Sequence, residues 1–214
     1  ELCTVMTAFM ATIAGSVMVV YAGFGAEPGH LLAASLMSAP AAIVVSKLMV
    51  PETEQPATAG YVRVQMPVET HNFVDAAAQG TSLGLSLALN VGAMLIAFLG
   101  LVYLADLLLG AVAGVSFKEV VGWLFQPFAV VMGAPLSDAK TLGQLLGTKT
   151  VLNEFIAYMQ LESAEGLSER GRMIATYALC GFANPGSLGI LIAGMTSLAP
   201  ERRKDIVELG FRAF

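Results

Sequence analysis

Long apolar runs that are almost free of charge limit most strongly what this chain can fold into. They cover residues 4–24, 31–50, 82–110 and 173–199, while the charged residues, 13% of the chain, lie mainly in the short segments between them. A helix needs about 20 apolar residues to cross a bilayer. A soluble domain would need more charge to cover its surface. The sequence therefore predicts an all-α, multi-pass protein of the cell membrane whose membrane spans are these four runs.

The segment between the third and fourth runs is irregular. Residues 120–133 are apolar but too short to span a bilayer, and Pro127 and a turn at 134–138 interrupt the pattern. We predict a re-entrant helical hairpin at 119–147, followed by a broken helix at 148–161. Non-helical backbone at membrane depth is tolerated only where protein or water covers it, so this region indicates a cavity. The polar residues 51–72 predict an aqueous connection.

Glu154 is the first candidate for a functional residue. It follows Leu152 and Asn153 and precedes Phe155, close to the predicted hairpin. An ionised group at membrane depth is costly, so it should face a cavity, a cation or a polar ligand. The alternative is a solvated residue near the interface, with Lys149 nearby in sequence. The residues alone favour neither interpretation.

A second group of candidates surrounds a helix break in the last run. Pro185 and Gly186 interrupt the helix there, so backbone groups become available to a ligand. Asn184 and Ser187 are three residues apart and share a helix face. The commoner role of such an Asn is to cap a helix or to bond to a neighbouring one. Phe182 is suited to stack on a flat ring, although an isolated Phe in an apolar run is more often part of the core.

Thr12 is a candidate cation ligand in the first run. A hard monovalent cation prefers oxygen ligands, which a Thr hydroxyl and freed backbone carbonyls would provide. The alternative for Thr12 and Ser16 is a hydrogen bond to the carbonyl one turn back, which is frequent in helices.

Other functional classes are less compatible with the sequence. A net charge of −5 without a basic stripe predicts no nucleic-acid partner. The absence of a Ser-His-Asp, Cys-His or metal-ligand pattern argues against an enzyme. A channel would line its path with polar faces along several helices. Here the polar groups cluster at helix breaks, which favours a binding site with alternating access, and a membrane interaction module remains the other alternative.

Several long motifs resemble those of one family. They are residues 7–17 (TAFMATIAGSV), 37–41 (MSAPA), 47–54 (KLMVPETE), 147–155 (GTKTVLNEF), 178–184 (ALCGFAN), 186–190 (GSLGI) and 197–206 (SLAPERRKDI). In this order they resemble the carboxy-terminal half of the concentrative nucleoside transporters, and the similarity covers nearly the whole chain. The resemblance implies an inverted-repeat transporter with re-entrant hairpins and broken helices. It also implies symport of nucleosides into the cell, driven by Na⁺ or in some members by H⁺.

The resemblance also implies roles for single residues and for assembly. Glu154, Asn184 and Ser187 fall on positions that bind the ribose. Phe182 falls on an aromatic residue beside them, and Val17 falls on a residue that contacts the base. The Thr12 hydroxyl and the Ile13 carbonyl fall on Na⁺ ligands, and their sequence context favours Na⁺. The family works as a homotrimer with a complete site in each protomer.

The chain departs from the family pattern at three points. Pro185 stands where a bulky apolar residue is expected, which predicts a looser or re-aimed Asn184. The first hairpin, which contributes base recognition and half of the Na⁺ ligands in the family, and the last helix have no counterpart in the chain. Because the sequence also begins at Glu1 without an initiator Met, we expect it to be a piece of a longer protein that does not transport alone.

Overall fold

A computed structural model describes residues 1–53 and 71–214, so most of the connection predicted at 51–72 lies outside the described residues. Within those two ranges every regular element is helical, which confirms the all-α prediction. The α-helices are α1 Leu2–Ala11, α2 Gly15–Gly23, α3 Pro28–Met49, α4 Phe73–Ala113, α5 Phe117–Val131, α6 Ala139–Val151, α7 Glu154–Glu162, α8 Glu169–Leu179, α9 Pro185–Leu198 and α10 Arg203–Ala213, with a 3-10 turn at Pro200–Arg202.

Two segments of the described chain are long and apolar enough to cross a membrane. They are Leu2–Gly23, which contains α1 and α2, and α3, and they coincide with the first two apolar runs. A third candidate is the pair Leu99–Ala113 and Phe117–Val131, whose two helices are bent by 92°. The run at 82–110 lies within α4, and the run at 173–199 is divided between α8 and α9. Which of these runs cross the bilayer stays a prediction.

Helices α5 and α6 pack antiparallel and very closely because glycine lies between them. A Cβ atom on Gly143 would lie 2.5 Å from the Gly122 carbonyl oxygen, and one on Gly147 would lie 2.6 Å from Cγ2 of Val121. The turn between the two helices is held by the start of α8. The side chain of Arg170 donates from Nε to the Gly133 carbonyl at 3.0 Å. This pair of helices occupies the region predicted as a hairpin at 119–147, and its entry into the membrane stays a prediction.

The chain also reverses between α6 and α7, within the segment for which a broken helix is predicted at 148–161. Thr148 Oγ1 donates to Gln160 Oε1 at 3.1 Å, although 12 residues separate them. Twelve residues along one helical direction would span about 18 Å. The physical reason for the reversal is Asn153, whose backbone is extended and whose Oδ1 accepts from the Ile156 amide at 2.9 Å. This cap starts a new helix that runs back along α6, and Glu154 lies at the tip.

Two buried apolar clusters fix the helices around that tip. The larger joins α2 and α3 to α6, α7 and α8, and the smaller joins α1 to α9 and α10. The larger contains Tyr21, Leu31, Leu142, Leu145, Tyr158, Leu161, Ala175 and Leu179, among others. Since α2 and α7 share this core, the first run of the sequence is held against the tip at Glu154.

Candidate ligand-binding site

Three interruptions of helical backbone face one buried region. They are residues 12–14 between α1 and α2, the tip at 152–153, and residues 180–184 between α8 and α9. The Phe182 amide donates to the Met10 carbonyl at 2.6 Å, so the α8–α9 break lies directly against the end of α1. Such breaks release backbone groups that are tolerated inside a membrane protein only when protein or a polar cavity covers them.

Glu154 is the polar centre of this region. It is the first residue of α7 and is 2% exposed. Its Oε1 accepts from the Tyr21 hydroxyl at 3.1 Å, and its Oε2 accepts from Asn184 Nδ2 at 2.9 Å. The partial positive charge of the α7 amino terminus favours a carboxylate at this position. Glu154 is therefore a buried, hydrogen-bonded group rather than a solvated residue at the interface.

Asn184 joins the α8–α9 break to Glu154. It caps α9, with Oδ1 accepting from the Ser187 amide at 2.8 Å, while Nδ2 bonds to Glu154. It therefore makes the cap and the bond to a neighbouring helix that were expected as its commoner role. Pro185 is the first residue of α9, where proline is well tolerated because its missing N–H would have no partner. The cap geometry of Asn184 is accordingly intact beside Pro185.

Ser187 lies one turn into α9 and is 3% exposed. Its backbone amide is used by Asn184, but its hydroxyl has no hydrogen-bonding partner within residues 1–53 and 71–214. The structure thus brings Glu154, Asn184 and Ser187 together within one chain. Phe182, two residues before Asn184, and Val17, one turn before Tyr21, are both partly buried, and Val17 packs against the larger core cluster.

Lys149, near the end of α6, contacts the carboxyl end of α8. Its Nζ donates to the Ala178 carbonyl at 3.0 Å. A cation near the carboxyl end of α8 is favourable because that end carries partial negative charge. Gly181, at φ +128°, passes beside the ammonium group, and a Cβ there would lie 3.7 Å from Nζ.

Tyr21 is the contact that the sequence reasoning missed. Its ring stacks on that of Tyr158, with centroids 4.3 Å apart and planes inclined by 23°. Tyr158 in turn donates to the Thr176 carbonyl at 2.7 Å. A weak signal was available, because Tyr21 is one turn beyond Val17 and shares its helix face. No feature of the sequence indicates that this face meets a residue 133 positions away.

Thr12 and Ile13 lie in the break between α1 and α2. Thr12 Oγ1 donates to the Ala8 carbonyl at 3.0 Å, which is the one-turn-back geometry of the alternative interpretation. A hydroxyl that donates in this way keeps its lone pairs, and the extended backbone at Thr12 and Ala14 ends the helical bonding. Hydroxyl and carbonyl oxygens fit the chemistry that a hard monovalent cation requires. No cluster of three or more His, Cys, Asp or Glu residues suited to a metal occurs in the described ranges.

Apolar helices that break around a buried polar centre are typical of secondary transporters. Comparison with known proteins shows which family of transporters the chain resembles. Residues 30–214 match the family described as the Na⁺ dependent nucleoside transporter C-terminus. Solute carrier family 28 member 3 of Mus musculus is 43% identical over 236 residues, which cover 100% of this chain and 34% of that protein. The nucleoside permease NupC of Helicobacter pylori is 41% identical over 225 residues, which cover 100% of this chain and 53% of that protein.

A solved structure agrees with these relatives. The structure of CNTnw in an inward-facing substrate-bound state matches with a TM-score of 0.85 and 40% identity, over 99% of this chain and 52% of that one. The chain thus spans between a third and about half of the length of the proteins it matches. It belongs to the concentrative nucleoside transporter family, and it is a multi-pass membrane protein. The family is one of transporters and not of enzymes.

Proposed function

We propose that this protein, in its full length, carries nucleosides into the cell by Na⁺ symport and binds their ribose through Glu154, Asn184 and Ser187. The observation that carries the proposal is the buried carboxylate of Glu154, which accepts one hydrogen bond on each oxygen. A carboxylate has about four acceptor positions, so each oxygen retains one for a ligand. The names of the relatives, which include a nucleoside permease, support the choice of substrate.

The chemistry of a ribose suits these groups. Its vicinal hydroxyls are donors, and a carboxylate accepts from them in charge-assisted bonds. The Ser187 hydroxyl, which has no hydrogen-bonding partner among the residues that the structure describes, adds a group that both donates and accepts. Val17 is proposed to contact the base and Phe182 to lie against the sugar or the base, as the family resemblance implies.

Coupling to Na⁺ is proposed through the Thr12 hydroxyl and the Ile13 carbonyl. The family description names Na⁺ dependence, and the break at 12–14 supplies oxygen ligands without regular helical bonding. Proton coupling is the alternative. The remaining ligands and the base contacts are expected from a preceding hairpin of the family.

Two further features follow from the family resemblance. We propose a homotrimer in the lipid bilayer with one complete site per protomer, and Glu154 and Asn184 indeed meet within a single chain. We also propose that a hairpin of this region, predicted at 119–147, is re-entrant. The reversal at 152–153 makes the α6–α7 pair a second candidate for this role.

The test is uptake of radiolabelled uridine by cells that express the full-length protein, with Na⁺ or with choline in the medium. The proposal expects saturable uptake that collapses without Na⁺. Uptake that does not depend on Na⁺ but depends on the pH gradient would support nucleosides as the substrate and H⁺ as the coupling ion. Absence of uptake for every nucleoside tested, from protein shown to reach the membrane, would contradict transport and would favour a membrane interaction module.

A further inference from the structure

We propose that Tyr21 is a positioning residue, which holds the carboxylate of Glu154 in the orientation that accepts hydrogen bonds from the hydroxyls of the ligand. The inference rests on the proposed function, since it assigns to Glu154 the contact with the sugar. It adds a residue to the site that neither the motifs nor the family resemblance named.

The two oxygens of Glu154 are held from two different directions. Tyr21 donates to Oε1 from α2, and Asn184 donates to Oε2 from the first turn of α9. A carboxylate with only one donor can rotate about its terminal torsion, which is broad and has no sharply preferred angle. Two donors on opposite oxygens fix the plane of the group and therefore the direction of its remaining acceptor positions.

The hydroxyl of Tyr21 is itself fixed by packing rather than by its bond to Glu154. The side chain is 1% exposed and stacks on Tyr158, which is 0% exposed. Tyr158 is anchored in turn by its hydrogen bond to the Thr176 carbonyl on α8. An aromatic ring in a dense core has few alternative rotamers, so the phenolic oxygen forms a rigid point against which the carboxylate is aligned.

This geometry predicts a change in selectivity as well as in affinity. Without the Tyr21 hydroxyl, Oε1 loses its protein partner and the carboxylate is free to turn away from the sugar. A ligand with both ribose hydroxyls then loses part of its bond to Glu154. A ligand that lacks one hydroxyl has less to lose, so the preference for the complete ribose should shrink.

The experiment measures the affinity of the purified full-length protein for uridine and for 3′-deoxyuridine, in Na⁺. The variant Tyr21→Phe removes one oxygen atom and retains the ring. The matched control is Tyr177→Phe, which removes a tyrosine hydroxyl that contacts His30 on α3 and takes no part in holding Tyr21 or Glu154. We expect the unchanged protein to prefer uridine by about tenfold or more, the factor that corresponds to one charge-assisted hydrogen bond. We expect Tyr21→Phe to reduce this ratio severalfold and Tyr177→Phe to preserve it.

A purely structural role for Tyr21 would lower both affinities by the same factor and leave the ratio unchanged, and that result overturns the proposal. If a melting assay shows that Tyr21→Phe does not fold, the two affinities are measured on Tyr21→His instead. Its ring is flat but ends short of the phenolic oxygen, so an unchanged ratio again contradicts the proposal. The variant Glu154→Gln distinguishes failure of the proposed function from failure of the positioning role. If Glu154→Gln keeps the preference for uridine over 3′-deoxyuridine, ribose binding by Glu154 is contradicted. If Glu154→Gln loses this preference and the Tyr21 variant keeps it, only the positioning role of Tyr21 is contradicted.

Discussion

Replacement of Glu154 by Gln tests the site with very little change in shape. The side chain keeps its length but loses its charge and one acceptor oxygen. The Asn184 amide that faces Oε2 is only a donor, whereas the Tyr21 hydroxyl that faces Oε1 can also accept. The new amide should therefore direct its oxygen toward Asn184 and its NH₂ toward Tyr21. On the Tyr21 side, the ligand hydroxyl would then meet a donor where it requires an acceptor.

The size of the effect follows from the burial of this contact. Hydrogen bonds to a charged partner are about twice as strong as neutral ones. Loss of a partner from a buried, charged hydrogen-bonded pair costs roughly 2–5 kcal/mol. We therefore expect the affinity for uridine to fall by about 30-fold to several thousand-fold. The protein should still fold, because removal of a buried charge relieves a desolvation cost while both protein contacts find a partner.

Uridine binding and uptake by the full-length protein are the assays, with the expression level and the gel-filtration elution profile as checks of folding. Glu162→Gln is a matched control, since Glu162 is the last residue of the same helix and is exposed. It should behave as the unchanged protein does. Normal uridine uptake by a well-expressed Glu154→Gln variant would contradict the proposed role of Glu154 in binding the ribose.

Three further changes test other parts of the molecule. Thr12→Val removes a hydroxyl at constant shape and should raise the Na⁺ concentration for half-maximal uptake about tenfold; an unchanged Na⁺ dependence would exclude the ligand role. Ser187→Ala keeps the backbone bond to the α9 cap but loses the side-chain donor, so the KM for uridine should rise about fivefold; an unaltered KM would remove this residue from the site. Gly143→Ala directs a Cβ to 2.5 Å from the Gly122 carbonyl oxygen and should destabilise the protein by about 1–3 kcal/mol in a detergent melting assay. Gly194→Ala is the control, since no atom lies within 4 Å of the added Cβ, and it should leave the stability of the protein unchanged.

The apolar runs predicted the helical class because hydropathy is a local property that survives without tertiary information. The break at 180–184 was also expected, since Pro185 and Gly186 disfavour a continuous helix. The reversal at 152–153 was missed. No Pro or Gly marks it, and only the extended backbone and the side-chain cap of Asn153 produce it.

The site could be predicted only in part, because its contacts depend on tertiary packing that leaves no local signal in the sequence. Glu154 and Asn184 were candidates because a charge and an amide are unusual in apolar sequence. Their mutual hydrogen bond joins residues 30 positions apart and depends on how α7 and α9 pack. Tyr21 had only the weak signal of lying one turn beyond Val17 on the same helix face, since a Tyr in an apolar helix is ordinary. Its importance arises only from a contact across 133 residues.

The most direct test of ribose binding by Glu154 is the position of uridine in an experimentally determined structure of the full-length protein. We predict ribose hydroxyl oxygens about 2.5–3.0 Å from the carboxylate oxygens of Glu154, with Tyr21 and Asn184 still hydrogen-bonded to that group. A uridine bound elsewhere, or one whose ribose leaves Glu154 without a hydrogen bond, would contradict it.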